Sequence, residues 1–432
     1  MRRTQPDSAR ERRAAVLLVI LFGMVCAFSP ATYGNKKKQA SAPAPNAQQG
    51  LKPDLSKVDV SKLVWPSPPN VARIKYVAYY AGMKIEQPAP GAKKQKPKTS
   101  WMDRLAGTKP QEMAEIIKTF PFQLIGPYGI AVDSHSLVYV ADSKVGAVFV
   151  FNTETRDVQL IRNGFEASFR LINGLAVDDD DRLFVSDGAL HRVLVFNSKR
   201  QGEKVSYEGA GVITEGLQDP VGLAIDTENR LVYVVDTQQD QVIVYDADSL
   251  KLLRRIGTGG KNHWLTTPGD FALPSGVAVD KEGNVYVTDT LNNRVEIFDS
   301  EGQFLSLFGK HGDGPGYFAR PKGIAVDCDG HIWVVDQYQD RVQVFNREGQ
   351  LLAAFGGHGN YPGQFASAVG IAIDKDNRVF VTDQYPGRLQ MFRYVTDAEA
   401  DAEKKRLEEE AKRKASEAKQ NAKEQTKGSA AN

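Results

Sequence analysis

A five-residue unit, glycine–apolar–alanine–apolar–aspartate, occurs six times in this chain. The copies are Gly129-Ile-Ala-Val-Asp133, Gly174-Leu-Ala-Val-Asp178, Gly222-Leu-Ala-Ile-Asp226, Gly276-Val-Ala-Val-Asp280, Gly323-Ile-Ala-Val-Asp327 and Gly370-Ile-Ala-Ile-Asp374, spaced 45, 48, 54, 47 and 47 residues apart. Self-similarity at such a period constrains the fold more than composition does, because each unit is one small sheet that cannot bury its apolar face alone. A second short strand follows each copy and ends in Asp142, Asp187, Asp236, Asp289, Asp336 or Asp383. A third ends in Phe151, Phe196, Tyr245, Phe298, Phe345 or Phe392, and most copies add a weaker fourth. Four short strands per unit of this length describe the blade of a β-propeller.

Residue sizes agree with that geometry. Blades converge on an axis, so the innermost strand needs small side chains and the next can carry large ones. The middle of the first strand is alanine in all six copies (Ala131, Ala176, Ala224, Ala278, Ala325, Ala372). The second strand carries an aromatic in all six (Tyr139, Phe184, Tyr233, Tyr286, Trp333, Phe380). The sixth copy stops near Tyr394 after three strands, leaving an open edge. A stranded run at 73–80, Arg-Ile-Lys-Tyr-Val-Ala-Tyr-Tyr, precedes the first blade and can fill that place. The expected fold class is all-β: a six-bladed β-propeller closed by an N-terminal strand, with a charged helical tail.

The remaining segments frame this body. Arg2, Arg3, Arg10, Arg12 and Arg13 precede an apolar core at 14–28, the form of a secretory signal ending in residues 1–31. Extended through Gly34, the uncharged stretch reaches 21 residues, the length of an anchor. The leader is therefore expected to be either cleaved after Ala31 or retained in the membrane through 14–34. Either way the body is exported, periplasmic or extracellular. Residues 32–70 are rich in Lys, Ala, Pro and Ser and read as a flexible linker. The closing strand takes 71–81, a loop and short helix 82–120, the propeller 121–396, and a helical or disordered tail 397–432.

Charge is unevenly shared. Residues 1–120 hold 21 Lys/Arg against 8 Asp/Glu, whereas 121–396 hold 25 against 36. Nucleic-acid binding needs a basic footprint that neutralises phosphates, and the acidic body lacks one. Nucleic acid is accordingly excluded as a partner. With only 2 cysteines, a disulfide framework and a four-thiolate metal site are excluded as well.

The six units resemble the NHL repeat family, whose pattern is Pro-x-Gly-φ-Ala-φ-Asp, φ-Tyr-Val-x-Asp and Asn-x-Arg-Val-x-φ-Phe, with φ apolar. Pro321-Lys-Gly-Ile-Ala-Val-Asp327 and Asp289-Thr-Leu-Asn-Asn-Arg-Val295 are close matches, and the likeness covers about 126–394. The Trp65-Pro-Ser-Pro-Pro69 lead and the closing Phe392-Arg-Tyr394 look like a bacterial exported six-bladed subgroup. The resemblance implies a binding platform in most members, and fold alone does not assign function. In the NHL-type peptidyl-hydroxyglycine lyases, three histidines just before the repeat glycines hold zinc. The matching positions here are Tyr128, Asn173, Val221, Ser275, Lys322 and Val369, none of them histidine. Gluconolactonase-like propellers use an inward Glu/Asn/Asp metal set, for which this sequence offers no convincing counterpart. No metal and no cofactor are expected.

Three groups of residues remain as site candidates. His263, His311 and His358 sit in Gly-rich connections leading into blades 4, 5 and 6, without metal-ligand spacing. The aspartates closing the second strands form turn pairs with an arginine five residues on: Asp187 with Arg192, Asp289 with Arg294, Asp336 with Arg341 and Asp383 with Arg388. Leu291, Tyr338 and Tyr385, two residues past such aspartates, are expected beside the Gly-rich loops as an apolar patch for a partner. These readings point to an exported, non-catalytic module recognising a protein, peptide or glycan in the cell envelope. The alternative is a metal-dependent hydrolase or lyase with its site in the central channel.

Overall fold

The computed structural model describes residues 58–68, 70–82, 123–162, 168–202, 204–259 and 267–429. They form six antiparallel sheets. Blade 1 contains Pro127–Val132, Leu137–Asp142, Ala147–Asn152 and Val158–Ile161. Blade 2 contains Ile172–Val177, Leu183–Asp187, Arg192–Gln201 and Lys204–Ile213, and blade 3 Pro220–Asp226, Leu231–Asp236, Gln241–Asp246 and Leu252–Ile256. Blade 4 contains Pro274–Val279, Val285–Asp289, Arg294–Phe298 and Phe304–Phe308, and blade 5 Pro321–Val326, Ile332–Asp336, Arg341–Phe345 and Leu351–Gly356. Blade 6 takes Ala368–Ile373, Arg378–Asp383 and Arg388–Tyr394 from the C-terminal side of the chain.

The fourth strand of blade 6 is Ile74–Tyr80, paired antiparallel with Arg388–Tyr394 in the register Ile74 opposite Tyr394 and Tyr80 opposite Leu389. The two ends of the propeller thus meet in one sheet. A fifth strand, Val64–Trp65, pairs with Ile74–Tyr80, although the sequence reading gave these residues to a flexible linker. The physical reason is Trp65. Its indole packs edge-on to Phe392 at 6.0 Å and against Phe355 at 5.7 Å, so a polar, Pro-rich stretch gains an aromatic anchor.

The wedge geometry follows from cross-strand pairs. Each repeat alanine faces an aromatic across its sheet: Ala131 opposite Tyr139, Ala176 opposite Phe184, Ala224 opposite Tyr233, Ala278 opposite Tyr286, Ala325 opposite Trp333 and Ala372 opposite Phe380. Six apolar clusters result, one between each pair of successive blades. The cluster joining blades 6 and 1 unites Phe380, Leu389 and Met391 with Ile130, Val138 and Phe149. The repeat glycine answers a different demand. A Cβ on Gly174 would overlap the carbonyl oxygen of Val221, and one on Gly276 that of Lys322. Backbones of successive blades touch at the axis, and only glycine permits that approach.

The repeat aspartate closes the turn after the first strand. Asp327 accepts the indole N–H of Trp333 at 2.8 Å, and Asp280 accepts the Tyr286 hydroxyl at 2.8 Å. In these blades the polar atom of the buried aromatic is satisfied by the same residue that shapes the turn. The tail is a helix, Asp397–Ser429, whose first turn is docked. There Arg73 pairs with Asp397, Arg393 pairs with Glu399 at 2.9 Å, and Ala400 is buried. Among the described residues no helix is long and apolar enough to cross a membrane, and the leader at 14–34 lies outside those residues.

Candidate functional site

One face of the propeller gathers the connections between blades and the turns between second and third strands. The aspartates ending the second strands join the two. Asp336 accepts the N–H groups of Ala319 at 2.7 Å and Arg320 at 3.0 Å, from the incoming connection. Asp187 accepts those of Arg170 and Leu171, Asp142 those of Ile125 and Gly126, and Asp236 those of Gln218 and Asp219. Asp289 and Asp383 do the same for Ala272 and Ala366. The face is therefore a rigid platform built from buried carboxylates accepting backbone N–H donors.

The arginines five residues on do not all behave alike. Arg294 Nε meets Asp289 at 2.8 Å, and Arg388 Nη2 meets Asp383 at 2.9 Å, both deeply buried. Burial pushes Asp383 up to about 6, with Arg388 opposing. Arg341 departs from the expected pairing with Asp336. Its guanidinium instead donates to the carbonyls of Asp313 at 3.0 Å and Gly314 at 3.1 Å, bracing the Gly-rich loop. Asp187 is buried opposite Arg192, its neighbour in strand register.

The three apolar tips all point to solvent. Leu291 is 41% exposed, Tyr338 69% and Tyr385 56%. The Gly-rich connections add Tyr317 and Tyr361, exposed beside them, which the sequence reading did not single out. Each of three tyrosines stands over a cation: Tyr338 over Arg320 at 5.1 Å, Tyr385 over Lys144 at 5.2 Å and Tyr317 over Lys310 at 4.3 Å. The rings lean on their own surface and keep their outer faces free, which lowers the entropy lost on binding.

The histidines are not brought into a metal site. His311 and His358 pair in parallel with Phe318 and Phe365 inside their loops, where both rings of Phe are fully buried. His358 Nδ1 lies 2.7 Å from Asp340 and is otherwise exposed. His263 lies outside the described residues. Among the described residues the one acidic group spaced for a cation is Asp178, Asp179 and Asp180, on the opposite rim. Arg230 already engages it, at 2.6 Å from Asp179 and 3.2 Å from Asp180.

The axial channel is a second concavity of about 70 Å³, ringed by Tyr128, Asn173, Val221, Ser275, Lys322 and Val369. These are the residues just before the repeat glycines. Desolvation, aided by the charge of Arg320, pushes Lys322 down to about 8. Burial pushes the Tyr128 phenol up to about 12. The metal of a gluconolactonase-like or lyase-type propeller does not fit this ring. An ammonium, a phenol, an amide and a hydroxyl stand where carboxylates or imidazoles are needed.

Six sheets radiating from one channel, closed by pairing the two ends of the ring, define a β-propeller. Residues 318–345 match the NHL repeat and residues 204–308 match the SMP-30/Gluconolactonase/LRE-like region, which supports an NHL-repeat propeller. Among curated proteins the chain is similar to NHL repeat-containing protein 2 of Gallus gallus, 31% identical over 104 residues, 23% of this chain and 14% of that protein. It is also similar to Protein brain tumor of Drosophila melanogaster, 50% identical over 44 residues, 10% of this chain and 4% of that protein. The chain thus matches only a small part of each relative's length. Among solved structures, a protein of unknown function from Bacteroides thetaiotaomicron aligns with TM-score 0.50 at 16% identity, over 63% of this chain and 70% of that one. That likeness concerns the fold alone.

Proposed function

We propose that this propeller is an exported, non-catalytic recognition module of the bacterial cell envelope, binding a protein, peptide or glycan on the rim of blades 4 to 6. The observation that carries the reading is the row of exposed Leu291, Tyr338 and Tyr385, extended by Tyr317 and Tyr361. Exposed tyrosines on rigid turns are the chemistry of a binding hot spot, since each ring offers apolar area and a hydroxyl at low entropic cost. The platform beneath is fixed by buried aspartates, so binding needs little rearrangement. The test is capture of envelope components by the wild-type protein and by a Tyr338→Ala/Tyr385→Ala variant. Loss of a specific component at unchanged melting temperature supports the reading. Equal capture by both proteins rejects it.

A second reading, a metal-dependent hydrolase or lyase acting in the channel, is favoured by the match of residues 204–308 to the SMP-30/Gluconolactonase/LRE-like region. It competes with the donor-rich ring that the channel presents. Stoichiometric zinc or calcium retained after purification, and lost on mutation of a channel residue, is the result that selects it.

A further inference from the structure

We infer that the mouth of the axial channel is an oxyanion site, made for a carboxylate or phosphate group and centred on Lys322. The inference concerns the channel and not the tyrosine rim, which it meets only at Arg320. Its basis is a surplus of unpaired donors in one cavity. Lys322 lines the channel half-buried, and among the described residues it has neither an ion pair nor a side-chain hydrogen bond. Tyr128 and Asn173 line the same cavity, and their side chains likewise make no hydrogen bond within the described residues.

Arg320, two residues before Lys322, adds a second cation. Its Nε is buried without a hydrogen-bond partner, while its Nη1 reaches the Tyr338 hydroxyl at 3.2 Å. Its charge acts on both Lys322 and Tyr128. Two carboxyl groups lie in the vicinity: Asp219 of blade 3, which also acts on Tyr128 and which burial pushes toward its neutral form, and Asp336, whose oxygens already accept the N–H groups of Ala319 and Arg320.

Lys322 and Arg320 repel each other, and among the described residues neither side chain holds a carboxylate. An oxyanion beside Lys322 relieves that repulsion. It accepts charge-assisted bonds from the ammonium, and it has acceptor sites to spare for the phenol and the amide. A divalent cation does the reverse, adding positive charge to a ring that already has too much. The narrow bore, walled by repeat glycines, limits the guest to one such group, either on a small molecule or at the tip of a longer ligand.

The experiment uses the full chain, with inorganic phosphate and succinate as separate probes and sodium chloride at matched ionic strength as control. Binding is followed by calorimetry and by thermal unfolding. One or both oxyanions are expected to raise the melting temperature of the wild type beyond the chloride control. Lys322→Met is expected to weaken that binding about tenfold to a hundredfold, the effect of losing a hydrogen bond to a charged group. It is also expected to melt higher than wild type without oxyanion, because an unpaired cation has been removed. Lys322→Arg retains the charge and should retain binding. A response to phosphate alone or to succinate alone supports the site and names its preference. No response to either probe, or an equal response in Lys322→Met, overturns the inference. So does a Lys322→Met protein that melts lower than wild type, which marks the lysine as structural.

Discussion

Glu296 stands in blade 4 where Gln343 stands in blade 5, each accepting the backbone N–H of a glycine in the incoming connection. Glu296 Oε2 takes that of Gly269 at 2.7 Å, and Gln343 Oε1 that of Gly316 at 2.9 Å. Gln390 repeats the arrangement in blade 6 with Gly363 at 3.0 Å. The glutamines do one thing more. Their amides donate to the carbonyls of Tyr317 at 2.8 Å and Gln364 at 2.7 Å. An ionised glutamate has no proton for that bond.

The consequence is a pH-dependent stability. Burial pushes Glu296 up to about 7, against the pull of Arg294, which sits 2.7 Å from it and 2.8 Å from Asp289. A carboxyl whose folded pKa is raised stabilises the fold fully below its unfolded value, near 4.5, and that contribution fades as pH rises through about 7. Glu296→Gln should therefore match wild type in mild acid and exceed it by about 1–3 kcal/mol above neutrality. Urea unfolding across this range measures the difference. A variant less stable than wild type at alkaline pH would falsify the assignment.

Asp383 makes a different case, because a buried arginine depends on it through two bonds. Arg388 is buried and donates to Asp383 through Nε at 3.0 Å and Nη2 at 2.9 Å. Asp383→Ala leaves that guanidinium in the interior without a counter-ion and removes the acceptor of the Ala366 N–H. The expected loss is about 3–5 kcal/mol. Chemical denaturation should show it directly. A ligand-binding role without a stability cost is the outcome that rules this account out.

A third prediction concerns how neighbouring blades are tied near the axis. Thr382 accepts the N–H of Gly370 at 2.8 Å and donates to the carbonyl of Tyr128, in the next blade, at 2.7 Å. Thr288 and Ser186 repeat this, donating to Lys322 and Val221 at 2.7 Å each. The other three blades carry Ala141, Val235 and Val335 at the same place. Thr382→Val keeps the shape and deletes both bonds, so it should cost about 1–3 kcal/mol. Comparison with Val335→Thr, which adds a hydroxyl to a junction without one, separates the bond from the packing.

That alternation was in plain view in the sequence, as hydroxyl and apolar residues taking turns one position before each second-strand aspartate. The residues that the six repeats share mask it, because it lies in their differences. The ring itself was legible because alanine, aromatic and glycine recur at positions where the wedge leaves no choice. Closure was legible because the sixth copy lacks a strand and 73–80 has the composition of one. Val64–Trp65 was not, since its strand character comes from a contact between Trp65 and residues more than 280 positions away, Phe355 and Phe392. Local propensity does not carry such information. The departure of Arg341 from Asp336 was also hidden, because an identical five-residue spacing accommodates a guanidinium that turns to loop carbonyls instead. At the channel, the sequence showed which residues replace the expected ligands, but not that Lys322 has no ion pair among the described residues.

The last prediction weighs the two ends of the chain against each other. Ile74 and Tyr76 are buried in the cluster between blades 5 and 6, and Tyr76 meets Phe392 edge-on at 5.4 Å. Ile74→Ala or Tyr76→Ala opens a void where the ring is sealed, and each should cost about 2–5 kcal/mol. Removing residues 408–432 takes away helix beyond the docked turn and should leave the melting temperature unchanged. Cutting from 397 falls between these. It removes the Arg73–Asp397 and Arg393–Glu399 pairs and the buried Ala400, while Val395 keeps its bond to the Arg73 carbonyl at 2.7 Å. Thermal unfolding of the four proteins should rank them in this order. If the 408–432 truncation melts as low as Tyr76→Ala, the closing strand is not what locks the ring.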